Sequence, residues 1–169
     1  RASPFNIADE VQLPYFTLAE VEELIGQSVS ASGQSFEPAV IRAIYANTRG
    51  QPGLVSALCL HLVTTVVPDH TRPVTLEHFY AALKFFLTHK ADKNIINIVQ
   101  KALQKKDLML RLLFSNEPIE FSFDVPDIAW LYAHGVIDDL DGYVAILVPL
   151  YAKRLINAFR PLINGETRA

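Results

Sequence analysis

The sequence predicts a mainly α protein: a bundle of helices, then a second helical unit carrying one small β-hairpin. Three observations predict it. Apolar residues recur at spacings of three and four through most of the chain. Thr, Asp or Pro stands just before many of those runs, as helix starts require. One Asp-Gly turn, Asp141-Gly142, separates two short apolar runs, a strong hairpin signal. The chain has 169 residues, half of them hydrophobic and a fifth charged, with a mean hydropathy of +0.20. Such a chain buries a core, which excludes disorder throughout, and it has the length of one domain or two small ones.

The lead-in from Phe5 to Phe16 has no clear period and reads as extended. Thr17 then opens a helix. Glu20 completes a capping box, and Leu18, Val21, Leu24 and Ile25 form one apolar face. Gly26 is the expected stop, with Ser28 to Gln34 a polar loop. A second helix is expected over about 37–48, with Pro38 in its first turn and Val40, Ile41, Ile44 and Tyr45 on its buried side. Arg49 to Gly53 is a tight turn into a very apolar helix ending near Val66. Pro68 to Pro73 breaks that helix, and Thr75 caps the next, which carries Phe79, Leu83, Phe86 and Leu87.

Beyond residue 90 the rhythm changes. Residues 93–104 and 107–114 read as two helices, and Ile119-Glu120-Phe121 as a short strand. Asp124 is the expected cap of a helix with Pro126 in its first turn, ended by Gly135. The hairpin follows, and Pro149 opens a last helix to about Leu162. Helix, helix, strand, helix, hairpin, helix is the order of a winged-helix domain. The expected division is a helical subdomain with its lead-in over 1–90, a winged-helix domain over 91–163 and a tail over 164–169. The chain opens Arg1-Ala2-Ser3-Pro4, and its single Met is Met109. It therefore reads as a piece of a longer protein.

Little in the chain offers chemistry. There is no phosphate loop of the G-x-x-x-x-G-K-[ST] kind, no G-x-S-x-G and no H-E-x-x-H. A single cysteine, Cys59, excludes an intrachain disulfide. Its apolar surroundings predict a buried, inert thiol, compatible with a reducing, cytoplasmic setting. The five histidines are scattered rather than set at metal-ligand spacing, so no metal site is expected. Asp138, Asp139 and Asp141 cluster, but around a turn, where solvation and turn chemistry explain them better than acid-base catalysis.

Charge is uneven. Residues 84–111 hold seven Lys or Arg against two Asp or Glu, whereas residues 112–150 hold seven Asp or Glu and no Lys or Arg. The acidic block includes the helix that would read DNA in a winged-helix protein, so phosphate repulsion argues against DNA binding there. The surfaces singled out for a protein partner, or for a second copy, are Asp127, Trp130, Asp138 and Asp139 on the acidic side. Lys101, Lys105 and Lys106 stand on the basic side. No run is apolar for the ~20 residues that span a bilayer, so no membrane partner is expected.

The turn Arg49-Gly50-Gln51-Pro52-Gly53, between two apolar helices, resembles the Gly-x-Pro turn in the lid of AAA-like and STAND-type P-loop ATPases. Phe16 to Leu24 looks like the segment that opens that lid. Leu131 to Ile137, Asp141 to Val144 and Val148 to Tyr151 look like the winged helix that follows in bacterial members. The likeness spans about Phe16 to Phe159. It implies that Gly50, Gln51 and Pro52 contact the adenine of ATP or ADP, and it leaves Arg49 as a weaker candidate for a phosphate. It also implies that phosphates and Mg²⁺ are held by an upstream ATPase core absent from these residues. No cofactor is then expected for this chain alone, and the chain alone is expected not to hydrolyse ATP. Two other readings stay open. One is a winged-helix regulator that binds DNA, which lacks basic residues on its reading helix. The other is an adaptor without a nucleotide link, which expects Gly50 to Pro52 to face protein and not an open cleft.

Overall fold

A computed structural model describes residues 14–163. The expected extended lead-in and the tail lie largely outside those residues. The chain is mainly helical with one small antiparallel hairpin. Its helices are α1 (Leu18–Ser32), α2 (Pro38–Thr48), α3 (Pro52–His61), α4 (Leu76–Thr88), α5 (Lys93–Leu103) and α6 (Lys106–Phe114). After these come α7 (Pro126–Ala133), strands β1 (Asp138–Leu140) and β2 (Tyr143–Ala145), and α8 (Pro149–Ile163). Among the described residues, no helix is long and apolar enough to cross a membrane.

Local chemistry sets most starts. Thr17 and Glu20 form the reciprocal capping box of α1. Thr75 does the same for α4 with an unusual partner, the His78 imidazole. Its Nδ1 accepts from the Thr75 backbone N–H at 2.9 Å. Asp92 caps α5 by accepting from the N–H groups of Asn94 and Ile95.

Two expected boundaries are corrected. Gly26 does not stop α1, and Ser28 to Ser32 continue it. The helix reaches Gly33, whose φ of 76° supplies the left-handed cap that Gly26 was expected to provide. Val29 explains the extension, because it adds one more apolar contact to the core. Nor does Asp124 cap α7. The N-cap is Val125, with no side-chain bond, while the Asp124 N–H is taken by Ser122 Oγ at 3.1 Å.

The end of α3 loosens into one π-helical turn over Leu62–Val66, ahead of Pro68. Cys59, near that end, is half-buried, and burial pushes its thiol up to about 12. That disfavours the thiolate, as an inert role requires. The loop between α3 and α4 is pinned to the loop before α2. Gln34 is buried, and its Nε2 donates to the carbonyls of Val67, Asp69 and Arg72 at 3.0, 3.4 and 3.1 Å. Two backbone bonds, Val74 N to Ser35 O and Glu37 N to Val74 O, close a parallel bridge beside it.

The hairpin pairs Asp138 with Ala145, Asp139 with Val144 and Leu140 with Tyr143. Its turn places Asp141 at φ 52° and Gly142 at φ 88°, and Asp139 Oδ1 accepts from Gly142 N at 2.9 Å. Two successive positive φ values suit the right-handed twist of a tight hairpin. Ile119 to Phe121 run along the free side of β2. Phe121 N donates to Gly142 O, and Val144 N to Ile119 O, at 2.9 and 2.8 Å. That is the short strand expected there, reduced to a single bridge.

Helix α8 ties the parts together. It packs against α2, α4, α5 and α6, and Leu150, Leu155 and Phe159 on it are fully buried. Lys153 Nζ also donates to Asn47 Oδ1 at 3.0 Å. The buried apolar residues form one continuous cluster from Val21 to Phe159.

Candidate functional site

The turn between α2 and α3 is built around glycine. Thr48 is fully buried, and its Oγ1 donates to Ile44 O and accepts from Gly50 N at 3.1 Å. Arg49 and Gly50 both take positive φ, 55° and 78°. Phe16 N donates to Gly50 O at 2.8 Å, so the entry segment lies against the turn, and a Cβ at Gly50 would overlap the Phe16 carbonyl. Gln51 is the N-cap of α3 and accepts from Leu54 N through Oε1. Pro52 follows at the first helical position, where its missing N–H costs nothing.

Gln51, Pro52 and Gly53 border an open cleft of about 670 Å³. Facing them are Asn94, Asn97 and Ile98 from α5, and His134, Gly135, Asp138 and Leu147 around the hairpin. Tyr151 of α8 and the entry residues Pro14 and Tyr15 complete the wall. At Gly53 an added Cβ would stand 2.6 Å from Asn94 Nδ2, so the Asn94 side chain would have to shift.

The lining is chemically specific. Pro14, Pro52, Tyr15 and Tyr151 offer flat apolar surface. Asn94 and Asn97 offer amide donors and acceptors, and Asp138 is the one carboxylate among the described lining residues. Among the described residues, no Lys or Arg lines the cleft. Such walls suit a flat, hydrogen-bonding, uncharged ring and do not suit a phosphate.

Burial raises the Asp138 carboxyl above the usual range, against the opposing pull of the Leu147 N–H and the Arg49 charge. Tyr15 is raised by burial and by Asp138, and Tyr151 by burial, then by Tyr15 and Asp92. For Asp138 the sign is the reverse of a salt-bridged carboxylate. Folding favours its protonated form, so its contribution to stability is present below the unfolded pKa and lost as pH rises through the folded one. Asp138→Asn is therefore expected to raise the thermal midpoint at pH 7 relative to the wild type and to leave it unchanged near pH 3. Melts at the two pH values check it; an equal shift at both would show that the charge is not the cause.

The other sequence-selected residues fall in a second place. Trp130 on α7 lies beside α5, with the Nζ of Lys105 and Lys101 at 5.2 and 5.8 Å from its ring. Lys105 also pairs with Asp127 at 3.1 Å, the one ion pair found among the described residues. The His134 ring lies tilted against Trp130, centroids 4.0 Å apart, and donates from Nδ1 to Trp130 O at 2.7 Å. Lys106 shares a shallow depression with Lys105 and Asp127. Five of the seven surface candidates thus meet on one face, and the basic and acidic blocks partly neutralise each other within the chain. Half-exposed as it is, the ion pair is worth about 0–1 kcal/mol. Asp138 is separate, in the cleft, and Asp139 lies on β1, where its Oδ1 braces the hairpin turn.

Of the nucleotide candidates, Gln51 and Pro52 reach the cleft. Gly50 stands behind them against Phe16, and Arg49 is exposed at the rim near Asp138. Sequence reasoning missed Asn94, Asn97, Tyr15 and Tyr151. The two asparagines, three apart at the start of α5, carry the one signal open to a reader of the sequence: polar residues repeating on one face of a helix. No protein-family model, curated protein or solved structure matches this chain.

Proposed function

We propose that this chain is the lid and winged-helix portion of an AAA-like ATPase. In this reading it closes over the base of ATP or ADP and passes nucleotide state to the hairpin region. The observation that carries the reading is the position of the turn: Gln51, Pro52 and Gly53 border an open cleft of about 670 Å³. An adaptor without a nucleotide link expects Gly50 to Pro52 against protein; Gly50 does lie against Phe16, whereas Gln51 and Pro52 border the cleft. The wall chemistry agrees, since rings and amides fit a purine; in this reading the phosphates and Mg²⁺ belong to the core that the lid would cover. The cleft also gives the coupling a route. Its walls come from the α2–α3 turn on one side and from His134, Gly135 and Asp138 at the root of the hairpin on the other. A base held between them makes differential contacts with both, which is what a ligand needs to bias their arrangement. The acidic block argues against the DNA-binding alternative.

The test is ATP and ADP binding by the protein with its ATPase core present, comparing the native turn with Pro52→Ala. Loss of one face of ring contact, ~1 kcal/mol, weakens binding about fivefold. A folded parent protein that binds neither nucleotide would overturn the reading.

A further inference from the structure

The hairpin end of the molecule combines two features seldom found together. Five of the nine large hydrophobics exposed among the described residues lie in the acidic block: Phe114, Phe123, Val125, Leu140 and Tyr143. Five acids there, Glu117, Glu120, Asp124, Asp139 and Asp141, are also exposed and take part in no ion pair among the described residues. The two sets interleave. Asp124 stands between Phe123 and Val125, and Asp139 and Asp141 flank Leu140.

Part of the set is also contiguous in space. Glu120 bridges Tyr143, which in turn pairs with Leu140, so the three form one exposed row across the small sheet. Phe121 N donates to Gly142 O, which brings residues 120–124 beside the hairpin turn. Phe123, two-thirds exposed, is held outward by edge contacts to Phe121 and Tyr132 at 5.1 and 5.5 Å.

We propose that this surface docks a cationic, partly apolar peptide segment of another protein, whose arginine or lysine side chains lie over Phe123 and Tyr143 and pair with Glu120, Asp124 and Asp141. Exposed aromatic faces attract guanidinium and ammonium groups, and unpaired carboxylates beside them supply the countercharge. The apolar part of the segment covers Val125 and Leu140, surface that a soluble monomer gains little by leaving open. The same charge repels nucleic acid and anionic lipid headgroups. A second copy of the chain is a poorer match in so far as two of its basic residues, Lys101 and Lys105, are already engaged with Trp130 and Asp127. The proposal rests on the hairpin region being a protein-contact surface and is independent of the nucleotide half of that reading.

The experiment uses three labelled peptides of equal length, alternating Arg-Leu, Arg-Ser and Glu-Leu, titrated with the protein by fluorescence anisotropy. Arg-Leu is expected to bind at least about tenfold tighter than either of the others. Phe123→Ser, and separately Glu120→Lys combined with Asp124→Lys, are each expected to weaken it about tenfold; all three positions are exposed, so the variants keep the wild-type fold. Pro52→Ala is expected to leave peptide binding unchanged, which separates this test from that of the cleft. Equal binding of Arg-Ser and Arg-Leu together with an unaffected Phe123→Ser would reduce the surface to general electrostatics and overturn the proposal. So would micromolar self-association abolished by the lysine substitutions, which would make a second copy the occupant.

Discussion

Gly50→Ala is expected to destabilise the protein by about 3 kcal/mol, several times the effect of a surface substitution. Two penalties add. A residue with a side chain at φ 78° leaves its preferred backbone region at a cost of about 1–2 kcal/mol. The new Cβ also overlaps the Phe16 carbonyl, so the Phe16 N–H to Gly50 O bond must lengthen or break. Gly26→Ala supplies the contrast. Gly26 lies inside α1 with nothing near its missing Cβ, so alanine there is expected to stabilise by about 0.5–1 kcal/mol. Urea unfolding of the two variants reads both signs. A neutral Gly50→Ala would mean that the entry segment does not hold the turn. In the nucleotide reading the same variant also weakens ATP and ADP binding, because Tyr15 and Pro52 flank the moved backbone.

Phe159→Ala is expected to cost about 3–5 kcal/mol. The ring is fully buried on α8, the helix that packs against α2, α4, α5 and α6. A cavity there is felt on both sides of residue 90, so the protein is expected to melt in one transition at a lower temperature. Two transitions in the variant, seen by calorimetry, would show that α8 joins two units of separate stability.

The parts legible in the sequence were those fixed by neighbours within a few residues. Thr17 and Glu20 announce a helix start because a capping box closes within one turn. Asp141-Gly142 announces a hairpin because few other residue pairs accept two positive φ values in succession. Gly26 misled because glycine marks a helix end only when the chain must turn there. The apolar contact of Val29 carried the helix on to Gly33. The cleft was half legible: the turn is local, but Asn94, Asp138 and Tyr151 reach it from three elements far apart in sequence. Charge behaved the same way. Two blocks of opposite sign along the chain became neighbours in space, and Lys105 and Asp127 now satisfy each other.

The position of α8 also orders the events of synthesis. Its partners α2, α4, α5 and α6 are all made before it, so their buried faces wait for a helix that emerges after them. At about 5–20 residues per second, the roughly 60 residues from the end of α4 to the start of α8 take some seconds to appear. During that interval the apolar faces that will enclose Leu155 and Phe159 are open to water and to other nascent chains. The emergence of α8 therefore sets when those faces are closed.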